Sequence, residues 1–358
     1  MRGIIIGILM LAWVSLGYSP LFAKVTGPCS SCHTMHNSQA GVSVVAAGGP
    51  IPCLLNSDCI GCHTGINEGS NMTPYVLMTN SEPVYGTTGT DGDTLAGGNF
   101  YWVAFMNLPR TGHNVADVAT PDAQLANTPP GSTNGVSLSE QLTCAGVNGC
   151  HGDRSVDNSY KAMSGAHHNN ETSLWKDGTT LAQSYRFLNR VQGLEDPDYE
   201  YRPTAAGHHN KYYGKDRTIE TDSAEGTISS LCRQCHGDFH YGSGEIASGA
   251  FGNGVWLRHP TDFDMGGAKS RSGEEYKYYN GGTGTGNPYS VVSPVATSDT
   301  GTNLNTTVFS ETNDAVVMCL SCHRAHGTPN DAILRWNYKK WPGNDGYNGC
   351  AVCHTTKN

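Results

Sequence analysis

Five times in this 358-residue chain, two cysteines three positions apart are followed at once by a histidine: Cys29-Ser30-Ser31-Cys32-His33, Cys59-Ile60-Gly61-Cys62-His63, Cys232-Arg233-Gln234-Cys235-His236, Cys319-Leu320-Ser321-Cys322-His323 and Cys350-Ala351-Val352-Cys353-His354. The chemistry that suits this order is covalent attachment of a c-type haem. Both thiols add across the haem vinyl groups, and the adjacent imidazole is held where it binds the iron as proximal ligand. Zinc knuckles and redox dithiols also use C-x-x-C. With 15 histidines in the chain, however, the chance that His follows all five pairs is roughly 10⁻⁷.

A sixth site is irregular. Cys144 and Cys150 flank Ala145-Gly146-Val147-Asn148-Gly149, and His151 follows. The two glycines can supply the unusual backbone angles that a bulged loop needs to bring both sulfurs to one porphyrin. The alternatives are a single thioether or a structural disulfide. Read as haem sites, the six pairs use every cysteine of the 13 except Cys53, which is expected to be buried as a small apolar side chain.

Six covalent haem c groups would take His33, His63, His151, His236, His323 and His354 as proximal ligands. The other histidines are His36, His113, His167, His168, His208, His209, His240, His259 and His326, enough to give every iron a distal imidazole as well. A helical turn keeps residues three or four apart on one side. His36, three after His33, and His326, three after His323, therefore cannot reach the far face of their own haem and must serve another; His240 meets the same constraint beside His236. His113 and His259 lie in turn-like contexts that can present a ring to a porphyrin. In an extended segment neighbouring side chains point oppositely, so a doublet such as His167-His168 or His208-His209 could serve two stacked haems. His36, His113, His259 and His326 rank first, then one member of each doublet, then His240.

The elements that must position these groups are short. With 37% hydrophobic residues and 45 glycines, the polypeptide makes a thin core, so the expected fold is a multihaem cytochrome c: mostly loops and short helices wrapped round a haem array, with few short β-hairpins. Leu181 to Val191 has amphipathic helical spacing, and Ile228 to Cys235 and Ala315 to Cys322 are expected to be short helices delivering haem motifs. Thr79 to Gly98 and Ser270 to Asn305 are rich in turn residues and read as surface loops or hairpins. The tyrosines Tyr276, Tyr278 and Tyr279 could cover a haem edge or pack in a hairpin. The motifs recur irregularly, which excludes a solenoid.

Residues 1–23 carry Arg2, then an apolar run, then Leu21-Phe22-Ala23, the pattern of a secretory signal peptide. No later segment is apolar for long enough to span a bilayer. Residues 24–358 are then expected to form a single hexahaem domain, with haems 1–2 in 24–130, haems 3–4 in 131–245 and haems 5–6 in 246–358. Losing the leader removes one basic residue and no acidic one, moving the net charge from −9 to −10. Nucleic-acid binding needs a basic footprint, which is absent. The acidic surface favours basic or metal-bearing partners.

The opening Cys29-Ser30-Ser31-Cys32-His33-Thr34-Met35-His36-Asn37-Ser38 resembles that of the hexahaem outer-surface cytochromes of metal-reducing bacteria, the OmcS type that polymerises into nanowires. Leu95 to Trp102, Gly112-His113-Asn114 and Cys319 to Gly327 are similar to the same group. The resemblance implies long-range electron transfer outside the cell through bis-His haems, toward metal oxides, other extracellular acceptors or partner cytochromes. It also implies a homopolymer in which His36 is donated to a haem of the next subunit. A monomeric periplasmic or surface carrier is the alternative. A multihaem reductase is less favoured, because it would need an open iron position, for which the Cys144/Cys150 site is the one candidate.

Overall fold

The computed structural model describes residues 25, 27–45, 49–69, 73–86, 91–132, 137–169, 173–217, 225–239, 259–269, 276–340 and 349–355. The expected leader at 1–23 and His240 lie outside them. Regular structure among the described residues is sparse. The longest helix, Ile228–Arg233, has six residues, and the longest strands, Thr143–Ala145 and Gly149–His151, have three. Strands pair as two-residue antiparallel ladders, joined by one parallel pair and one three-stranded sheet of Trp175–Lys176, Gly193–Leu194 and Lys211–Tyr212. The architecture is the expected one of loops, short helices and small hairpins. No described helix is long and apolar enough to cross a membrane.

Apolar side chains gather in three clusters, each meeting a motif cysteine. Leu77, Phe100, Val103 and Val115 pack near Cys144. Tyr185, Tyr212, Leu231 and Val316 pack near Cys232, and Phe263, Met265, Tyr279 and Val317 near Cys353. A chain this poor in long elements cannot close one large core. Its apolar surface is instead laid against the points where the motifs would present a porphyrin.

Each regular motif is delivered on a single turn, which puts residues i and i+3 on one side. Cys59–His63 is helical, capped by Asp58, whose carboxylate accepts from Gly61 N at 2.6 Å. Thr227 caps Ile228–Arg233 by accepting from Ser230 N at 3.0 Å. Cys29–Ser31 and Cys319–Ser321 are 3-10 turns, and Cys350–Cys353 is a helical turn.

Four expectations need correction. Leu181 to Val191 is not a helix: only Tyr185–Phe187 forms a 3-10 turn, and Arg186, Phe187 and Arg190 are left-handed. Tyr185 N donates to Val191 O at 2.8 Å, so the segment closes as a loop and buries Tyr185 and Val191 without helical periodicity. Ala315 to Cys322 begins as a strand, because the β-branched Val316 and Val317 pair with Asp264 and Phe263 before the 3-10 turn. Cys53 is exposed in a left-handed conformation. Its turn aims its carbonyl, rather than its thiol, at the protein. Tyr276 and Tyr279 are buried in the third cluster; Tyr85↔Gly92 bridges the first turn-rich stretch, whereas the second is largely buried over 287–297 rather than on the surface, and its Asn287–Pro288 pairs with Thr307–Val308 beyond it.

One junction requires glycine. Gly327 bridges both Gly98 and Gly112. A Cβ on Gly98, which has φ +83°, would lie 1.9 Å from Gly327 O, and one on Gly327 would lie 2.5 Å from Asn99 O. This approach lets His326 N donate to Gly97 O at 2.7 Å and His113 N donate to His326 O at 3.2 Å. Gly327→Ala is expected to cost about 1–3 kcal/mol through overpacking, and Gly98→Ala more, since it adds left-handed strain. Thermal unfolding of the haem-loaded protein checks this; unchanged midpoints would contradict it.

Candidate metal centres

Five imidazole pairs stand across from one another. Ring centroids are separated by 5.8 Å for His33 and His168, 6.4 Å for His63 and His167, 6.3 Å for His151 and His326, 6.2 Å for His236 and His113, and 6.1 Å for His354 and His259. Two imidazoles on one metal, each nitrogen about 2 Å from it, place their centroids roughly 6 Å apart. Each pair joins the histidine of one cysteine motif to a histidine distant in sequence. The residues therefore fit a haem iron held between two imidazoles.

Backbone carbonyls set the protonation of the rings. Nδ1 donates to a carbonyl oxygen in His33 (Cys53, 2.9 Å), His63 (Pro74, 2.9 Å), His151 (Arg186, 3.0 Å), His236 (Pro130, 2.7 Å) and His323 (Ala332, 2.9 Å). The distal candidates His113 (Ala325, 2.6 Å) and His259 (Pro260, 3.1 Å) do the same. Such a bond fixes the ring and leaves Nε2 as the unprotonated nitrogen, the form a metal needs. Burial lowers the affinity of His113, His151, His259 and His323 for a proton. Burial, followed by nearby His151, His113 and His63, pushes His326 down to about 3.

The irregular site brings its cysteines together through a ladder. Thr143–Ala145 runs parallel to Gly149–His151 with Thr143 opposite Gly149 and Ala145 opposite His151, so Cys144 stands opposite Cys150. Facing residues in a ladder lie roughly 5 Å apart, close to the spacing of residues three apart on a helical turn. Gly146 turns the insert with φ +87°, and a Cβ on Gly149 would lie 2.5 Å from Ala145 N. All 13 cysteines are unbridged.

The motifs also meet in chain order. Their thiols stand in for the thioether sulfurs of attached haem. Cys32 acts electrostatically on Cys62, and Cys59 and Cys144 share a hydrogen bond. Cys150 is within electrostatic reach of Cys235, Cys232 and Cys319 share a hydrogen bond, and Cys322 feels Cys353 and Cys350. Arg154 clamps one junction, donating from Nη2 to Cys235 Sγ at 3.7 Å and from Nη1 to Gln234 Oε1. Around the last motif, His259, Phe263, Met265, Tyr276, Cys353 and His354 line a largely apolar hollow. A zinc arrangement is not formed: the only described group of three ligand atoms within 4.8 Å of one another is Asp196, Asp198 and His208.

The remaining histidines fall into place differently. His36 is exposed next to Met35, which is 81% exposed. His323 has no facing imidazole among the described residues. His208 Nδ1 lies 3.3 Å from Asp196 and 3.1 Å from Asp198. His209 is buried, stacks on Tyr289 at 4.2 Å, and donates from Nδ1 to Asn210 O at 2.8 Å. The doublet His167-His168 thus spans two pairs, whereas neither His208 nor His209 meets a motif histidine. The carbonyls that orient the rings were not legible in the sequence, because every residue type carries one.

Residues 313–358 match the family model described as "Doubled CXXCH motif". The chain is 26% identical to the protein named "C-type cytochrome OmcS" of Geobacter sulfurreducens over 86% of this chain and 78% of that one. Among solved structures it is similar to "Outer Membrane Cytochrome S Filament from Geobacter Sulfurreducens", with a TM-score of 0.48 and 20% identity over 88% of this chain and 84% of that one. A second structure, "Cryo-EM of the OmcS nanowires from Geobacter sulfurreducens", gives a TM-score of 0.42 and 22% identity over 87% and 84%. With covalent haem attachment written in its motifs and this relationship along most of its length, the chain is a multihaem c-type cytochrome homologous to OmcS.

Proposed function

We propose that the chain is an extracellular electron conduit of six bis-histidine c-type haems, and that copies join into a filament in which His36 of one copy completes the iron site of His323 in the next. The observation that carries this reading is a remainder. Five motif histidines face a distal ring within the chain, whereas His323 faces none among the described residues. His323 Nδ1 is nevertheless tied to Ala332 O like the others. His36 is exposed and cannot reach the far face above its own motif, so it is placed to complement His323 from a second copy.

A haem with an imidazole on both faces has no open coordination position and passes electrons without binding substrate. The serial contacts between motif sulfurs support a single file in chain order, from Cys29/Cys32 through Cys144/Cys150 to Cys350/Cys353. They also support one domain over 24–358 rather than three, since His33 and His63 of the first third face His168 and His167 of the middle third. The facing of His151 by His326 argues against the irregular site as an open catalytic iron. An expected leader and the acidic charge support an extracellular setting, with metal oxides and other cytochromes as electron partners.

A second reading is favoured by His209. Its Nε2 is buried without a hydrogen-bond partner, while its Nδ1 is tied to a carbonyl as in the ring pairs. Were His209 to move onto the His323 iron, the chain would be complete as a monomeric carrier.

Electron micrographs of the purified haem-loaded protein are expected to contain filaments, and His36→Ala to give dispersed particles with one five-coordinate ferric haem per chain. Intact filaments from His36→Ala would contradict the donation of His36 between copies, whereas dispersed particles of the unsubstituted protein, with a five-coordinate haem produced by His209→Ala instead, would favour the monomeric carrier. His167→Ala and His168→Ala are each expected to convert one low-spin haem to high spin, and the double variant two, by ferric electron paramagnetic resonance. Loss of a single haem signal in the double variant would contradict their service to separate irons.

A further inference from the structure

Arg335 is 2% exposed. Its Nε donates to Leu320 O at 2.7 Å and to His323 O at 3.2 Å, and its backbone N donates to Cys322 O at 2.8 Å. The guanidinium is therefore anchored to the Cys319–His323 motif through neutral carbonyls. No carboxylate of the described residues forms an ion pair with it, and Nη2 is buried without a hydrogen-bond partner. A buried cation is stable only when an anion and hydrogen bonds compensate it.

A second buried donor is left over. Tyr289 is 2% exposed, and its hydroxyl is buried without a partner. Its ring is held by stacking on His209. The Arg335 charge reaches Tyr289, as it does Tyr212 and Cys322. The carboxylate sharing this neighbourhood, Glu200, is already engaged by Asn210 N at 2.7 Å and Tyr212 Oη at 3.3 Å. One charged N–H donor and one O–H donor thus call for the same complement, a carboxylate that the described residues do not provide.

We propose that Arg335 Nη2 and Tyr289 Oη receive a propionate of a haem attached at Cys319/Cys322 or at Cys350/Cys353, and that the arginine charge raises that haem's reduction potential. The inference rests on the multihaem reading. Reduction adds one electron to ferric iron, and a fixed cation close to the porphyrin favours the reduced form by charge alone. Arg335 would thereby act as a positioning and tuning residue for the last steps of the file.

The test is a spectroelectrochemical titration of the full haem-loaded protein, with haem content measured first. Arg335→Gln, which keeps polar donors and removes the charge, should move one reduction step to lower potential, with at least a tenfold drop in the reduced-to-oxidised ratio at fixed potential, about 59 mV for one electron. Arg335→Lys should restore most of the shift, and Tyr289→Phe should give a smaller shift in the same direction. In a His259→Ala background the His354 haem becomes high-spin, so movement of the high-spin or the low-spin bands tells which haem supplies the carboxylate. If Arg335→Gln loses haem, Tyr289→Phe carries the test. Unmoved potentials in every haem-loaded variant, even with lowered thermal stability, would reduce Arg335 and Tyr289 to structural roles and overturn the inference. Absence of haem from the unsubstituted protein would instead defeat the multihaem reading itself.

Discussion

Two imidazoles can share an iron only if their rings face one another across a fixed gap, with the correct nitrogen unprotonated. Everything else in this fold serves that requirement. Turns supply one ring beside each regular motif and a strand ladder the one beside Cys150, remote segments supply the facing ring for five of the six, and carbonyls from residues as different as Cys53, Pro130 and Ala332 pin Nδ1. Because the facing rings come from distant parts of the sequence, each pair would also cross-link the tertiary structure on sharing an iron. A chain whose longest described helix is six residues has few other means of fixing its topology.

The same requirement explains the scarcity of regular structure. A long helix or strand would bury its apolar face against another element, whereas here the apolar clusters meet motif cysteines. Loops can follow the outline of flat groups at varied angles. The Gly98, Gly112 and Gly327 junction shows how tight such a path becomes, since three backbones meet where no side chain fits.

Local chemistry was legible in the sequence, and long-range geometry was not. The C-x-x-C-H motifs announce themselves because attachment depends on residues adjacent in the chain. The pairing of His151 with His326 or His33 with His168 depends on loop paths that no periodicity encodes. His326 lies opposite His151 rather than His323, its neighbour in the chain. The helix expected at Leu181 to Val191 failed because its apolar spacing reflects a loop folded over Tyr185, with left-handed residues at Arg186, Phe187 and Arg190. Arg335 gave no signal, since a single arginine after a hydrophobic stretch looks like any surface charge until its burial is seen.

The central claim is that the His323 iron is completed only when copies meet. Ferric electron paramagnetic resonance, followed while the unsubstituted protein is diluted from assembled to dissociated, tests it directly. The account predicts six low-spin haems in the assembled state and the appearance of high-spin signal from one haem per chain on dissociation. Six low-spin haems at every concentration would contradict it.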